Sequence, residues 1–170
     1  MSSPPVAVWE PLEDLEAQRA LALELEAWRG TAYGVGQQCR GVAADCVRFV
    51  CGVLDALRGT KTPLKTLPPD TCFHDSAKAV AGMERIRALF APTDEVTNGV
   101  IQPGDVIVTG PAGAGPSHAM IVGTDPNTAW HCAALGGRGG VTVTGIRGVY
   151  VLGHRIFMVY RLRERSWRAA

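Results

Sequence analysis

The 170-residue chain carries 17 Lys+Arg against 16 Asp+Glu, a formal charge of +1, and 46% of its residues are hydrophobic. That near-neutral balance excludes a protein built to neutralise phosphates, so nucleic acid is not an expected partner. No apolar run reaches the ~20 residues of a membrane span, so no membrane insertion is expected either.

The length suits one domain over residues 1–170, with a sizeable core of its own. Met1 to Pro11 lacks the basic, apolar and small-residue succession of a secretory signal, so synthesis in the cytoplasm without a signal peptide is expected. Residues 11–28 read as an amphipathic helix with Leu12, Leu15, Ala20, Leu23 and Ala27 toward the core. Gly30 ends it, and Thr31 to Gly36 is turn-rich. A second helix covers residues 45–58: Asp45 is a good N-cap, Gly59 supplies the left-handed stop, and Cys46, Phe49, Val50, Val53, Leu54 and Leu57 share a buried face. Residues 60–100 form a Pro-rich connection with a helix, Ser76 to Phe90, presenting Val80, Met83, Ile86 and Phe90.

Within residues 101–162 the periodicity changes. Asp105–Thr109, His118–Gly123, Thr128–Cys132, Val141–Thr144 and Ile156–Leu162 are β-branched or aromatic segments separated by turn residues, as in an antiparallel meander. Helices first and strands afterwards predict an α+β domain, N-terminal helices packed on a central antiparallel sheet of about five strands. The tail from Arg161, including the basic stretch 163–170, holds four arginines and one glutamate, while the first thirty residues carry six acidic and two basic ones. The tail reads as a solvated edge or as a surface for an acidic partner.

Five cysteines, at positions 39, 46, 51, 72 and 132, are expected as thiols in a reducing compartment. Cys46 falls in the first turn of the second helix, where orphan N–H groups and the helix dipole favour a thiolate and can also hold an oxyanion. The alternative is an inert small hydrophobe in a core helix, the role expected of Cys51. A nucleophilic thiol needs a base. His118 begins one predicted strand and His131 lies near the end of the next, and the turn Thr124–Asn127 brings the two strands side by side. One imidazole would act as base and the other would orient it. His74 and His154 read as structural or solvent-facing. Neither the Cys/His spacings nor the loop Gly110–Pro116 matches a zinc site or a phosphate loop, so no metal and no cofactor is expected.

These pieces resemble the NlpC-type cysteine peptidases, papain-like enzymes that cut peptidoglycan stem peptides. Trp28-Arg29-Gly30-Thr31-Ala32-Tyr33 resembles the family's W-x-G-T-P-Y motif, and Asp45-Cys46-Val47-Arg48-Phe49-Val50 its D-C-S-G-F-V nucleophile motif. Gln102-Pro103-Gly104-Asp105-Val106 resembles Q-P-G-D-L, the segment His118 to Gly123 resembles the H-V-G-I-Y-I-G strand, and Trp130-His131-Cys132-Ala133 resembles the strand carrying I-H-A. The resemblance implies a papain-like fold with Cys46 as nucleophile, His118 as base and His131 as the orienting residue. It also implies a positioning role near the oxyanion and substrate for Tyr33, Asp45 and Arg48. Arg48 stands where the motif has glycine, and either narrows the substrate cleft or holds a stem-peptide carboxylate.

By resemblance to compact members of phage and gene transfer agent tails, the expected function is a stem-peptide endopeptidase or amidase on a tail tip. Its partners would be stem peptides and tail-tip or hub proteins, and it would act in the periplasm or cell wall. Three other readings stand beside it: a structural tail-tip component with a reduced or inactive peptidase fold, a secreted antibacterial effector amidase, and an acyltransferase.

Overall fold

The computed structural model describes residues 8–9, 14–61, 93–95, 100–113, 116–125, 127–134, 139–151 and 153–162. The helix expected over 76–90, His74 and the basic stretch 163–170 lie outside the described residues.

Helix α1 spans Leu15–Trp28 and starts at Asp14, whose carboxylate accepts the N–H groups of Glu16 and Ala17. Residues 11–13 of the expected helix lie outside the described residues. Its buried stripe is Ala17, Ala20, Leu21, Leu25 and Trp28. This corrects the expected face: Leu15 and Leu23 are 77% and 56% exposed. The rotation follows from Trp28, the largest side chain on the helix. Its ring meets Phe49 edge-on at 5.6 Å and lies over Gly52, where an added Cβ would come within 2.4 Å of the indole. The helix turns so that this large ring is buried between the two helices.

Helix α2 spans Cys46–Arg58 between the Asp45 N-cap and Gly59, which takes φ 64 and returns its N–H to Ala56 and Asp55. It is buried on almost every side, from Val47 to Asp55 and again at Leu57.

The strands are β1 (Val8–Trp9), β2 (Ala32–Tyr33), β3 (Gln38–Cys39), β4 (Ala43–Ala44), β5 (Thr93–Glu95), β6 (Val100–Ile101), β7 (Val106–Pro111), β8 (His118–Val122), β9 (Thr128–Ala133), β10 (Gly140–Gly145) and β11 (His154–Leu162). Strands β1 and β6 pair in parallel, and the other nine form one sheet in the order β3-β4-β2-β10-β9-β8-β7-β11-β5. The α+β class is as expected, and the five expected strands are its centre, β7 to β11. The sheet is nonetheless wider than five strands. Two- and three-residue strands, β2, β3, β4 and β5, extend its edges and carry too few residues to show a period of two. The last strand also departs from a meander: β11 returns to pair antiparallel with β7, not with β10. A short helix, α3 (Ile146–Val151), precedes it.

The pleat sorts side chains onto two cores. Val106, Val108, Ala119, Ile121, Trp130 and Cys132 pack with α1 and α2. Ile107, Met120, Val122 and Ala129 pack with Ile146 and Val149 of α3 on the other. The Gln102–Asp105 turn is tied to the end of the chain. Buried Asp105 accepts the Gln102 N–H and a two-pronged contact from Arg161 at 2.9 and 2.7 Å. Arg161 thus belongs to the fold, not to a solvated tail.

Candidate active site

Asp45 and Arg48 build the floor of the α2 N-terminus. One Asp45 oxygen accepts the Arg48 N–H at 2.8 Å; the other accepts the Gly36 N–H at 3.0 Å and the Arg48 guanidinium at 2.5 Å. A carboxylate next to a thiol raises the cost of a thiolate, and Arg48 sets a compensating positive charge against it. Arg48 is 3% exposed, with its charge turned inward on Asp45. Both residues are therefore framework of the α2 N-terminus, and neither presents a charge to solvent for a substrate carboxylate.

Cys46 is the first residue of α2, half-buried against the core that α1 and α2 share. Its neighbour on β9 is Cys132, whose thiol donates to the Ala44 carbonyl at 3.1 Å. Burial first, then the charges at Cys46 and Asp45, push the Cys132 thiol up to about 12. Cys51, deep in α2, is pushed up to about 12 by burial above all, which fits the structural role expected of it. Tyr33 on β2 is in register with Ala44 on β4, two residues before Cys46, and its N–H donates to the Gly139 carbonyl at 2.8 Å.

The two histidines expected to pair do so. His118 Nε2 and His131 Nδ1 are 2.8 Å apart, and the rings meet edge-on with centroids 5.0 Å apart. The backbone ladder between β8 and β9 joins Ile121 to Trp130 and Val122 to Ala129; toward the histidines the link is between side chains. Helix α2 packs on both β8 and β9, the strands that carry the two histidines. Burial lowers the basicity of both rings. For His118, burial and then repulsion from His131 and His154 bring it down to about 3. His154 reads in the sequence as structural or solvent-facing. Its influence on His118 arises because β11 sits beside β7 and so two strands from β8, a placement that adjacent-strand reasoning does not reach. Cys132 was missed as a neighbour of Cys46, because the packing of α2 on β9 is what brings the two together.

The fold is similar to that of a solved NLP/P60 protein. In three dimensions the chain is similar to a crystal structure from Staphylococcus aureus subsp. aureus Mu50, described as similar to lipoprotein, NLP/P60 family, with a TM-score of 0.58 and 18% identity. The match covers 91% of this chain and 44% of that one, so the chain spans less than half of that protein's length. No family profile and no curated protein matches the sequence. At this identity the likeness speaks for the fold, and the chemistry rests on the residues above.

Proposed function

We propose that the chain is a thiol peptidase or amidase acting on peptidoglycan stem peptides, with Cys46 as nucleophile, His118 as general base and His131 as its orienting partner. The observation that carries this reading is the 2.8 Å bond between the two imidazoles, on strands against which the Cys46 helix packs. Two neutral rings joined this way share one bonding proton. With that proton on His118 Nε2, its Nδ1 keeps a lone pair and takes the thiol proton as Cys46 attacks the amide carbon. The N–H groups at the start of α2, with the Tyr33 hydroxyl, hold the oxyanion. His118 then protonates the leaving amine, and water, deprotonated by the same ring, releases the acyl group.

The buried, weakly basic His118 favours a neutral base over a standing thiolate–imidazolium pair. For the setting we propose the tail tip of a phage or gene transfer agent, on the resemblance of the W-x-G-T-x-Y motif and the long connection that follows the Cys46 helix in sequence. The test is alkylation of Cys46 by iodoacetamide across pH, read by mass spectrometry, in wild type and His118→Ala. Cys46 should outrun Cys51 and Cys132 at neutral pH and lose that lead in the variant. If Cys46 reacts no faster than Cys51 in wild type, the reading is wrong.

A further inference from the structure

Strand β7 runs Val106-Ile107-Val108 and then, at the position facing His118 across the β7–β8 ladder, places Thr109. Directly opposed residues of an antiparallel pair project from the same face, with Cβ atoms roughly 5 Å apart. Thr109 is 0% exposed, and its hydroxyl oxygen has no hydrogen-bond partner. Its backbone carbonyl is engaged, accepting the Ser117 N–H at 2.8 Å immediately before His118. A buried hydroxyl without a partner costs stability, and valine would fill the same volume at no such cost. The strand already uses valine at 106 and 108. An unpartnered hydroxyl has one property valine lacks: its dipole can turn as a neighbouring charge appears.

The geometry points to Thr109 as a positioning residue for His118, its hydroxyl turning an oxygen lone pair toward the imidazolium that forms when His118 takes the Cys46 proton. The inference rests on the peptidase reading and deepens it. The proton moves from Cys46 Sγ to a nitrogen of His118; Thr109 neither gives nor takes one. The titratable groups set against His118 are His131 from β9 and His154 from β11; α2, which packs on β8 and β9, carries Asp45, Cys46 and Arg48 at its start. The two histidines oppose a positive charge on the ring. Thr109 is the group from β7 that relieves it.

The experiment is the Cys46 alkylation profile in wild type, Thr109→Val, Thr109→Ser and His118→Ala, with thermal melting of each. Thr109→Val should melt at or above the wild-type temperature. At neutral pH it should alkylate about tenfold more slowly, the effect of roughly one pKa unit on the imidazolium. At strongly alkaline pH, where the thiolate forms without a charged imidazole, its rate should equal wild type. Thr109→Ser should restore the neutral-pH rate. If Thr109→Val matches wild type at every pH while His118→Ala loses the lead, Thr109 plays no such part and the peptidase reading stands. If His118→Ala leaves the rate unchanged, the peptidase reading fails and takes the role of Thr109 with it. Should Thr109→Val melt well below wild type, Thr109→Ser slowing by the same factor would also overturn the proposal, because the hydroxyl would then not be what matters.

Discussion

Two polar pairs, one at the start of α2 and one on the strands that α2 packs against, are built in opposite ways. Asp45–Arg48 is fully charged, and both carboxylate oxygens are occupied by N–H donors. His118–His131 is neutral: burial holds protons off both rings, and repulsion from His131 and His154 adds to it at His118. A buried ion pair fixes geometry, because either partner alone would be a bare buried charge. A neutral pair of bases leaves room for a proton to arrive. The contrast suggests a division of labour: one pair holds the helix end in place, and the other changes charge during the reaction.

The comparison breaks most visibly under His118→Ala. Hydrolysis of a stem-peptide substrate should fall ~10²–10⁴-fold, the usual contribution of a general base, with little change in the urea midpoint. Arg48→Met should do the reverse to the charged pair. It should cost ~3–5 kcal/mol in urea unfolding, because Asp45 stays buried without its guanidinium, and Asp45→Asn in the same chain should recover part of the loss.

Acid sharpens the difference further. The unfolded chain binds a proton on each imidazole below about 6.5, whereas folded His118 does so only near 3. Between those values the unfolded state holds more protons. Stability is therefore fully present above 6.5 and drains away as pH falls, by up to ~1.4 kcal/mol per pH unit for each such ring. Urea titrations at descending pH should show this slope, and His118→Gln should flatten it. The smallest effect is expected from His154→Gln. Removing a like-charged neighbour should raise the His118 titration slightly, read from its ring resonances by NMR, without moving the melting temperature.

Much of this arrangement was visible in the sequence. Asp45 and Gly59 bracket α2 because caps are local chemistry, and the His118–His131 pairing follows from one tight turn. What escaped depends on distant partners. The face of α1 turns on Trp28 meeting Gly52, a contact between helices. Arg48 could have pointed toward solvent or inward, and the choice is made by Gly36 and Asp45 together. Strands β2 to β4 exist because β10 offers an edge, not because two residues prefer extension. Arg161 looked like part of a basic tail until its partner 56 residues earlier was in place.

The return of β11 to β7 has a consequence for the order in which the protein is made. Everything proposed to take part in the chemistry, from Tyr33 to His131, is synthesised before the strand that covers the far side of β7. Until residues 154–162 emerge, β7 presents an open edge, Asp105 lacks its arginine, and the hairpin bearing His118 leans on a half-built sheet. A nascent or truncated chain would therefore hold its thiol without a settled base. Hydrolytic competence would arrive only with the last strand, late enough to spare the cell that makes it from a prematurely active fragment.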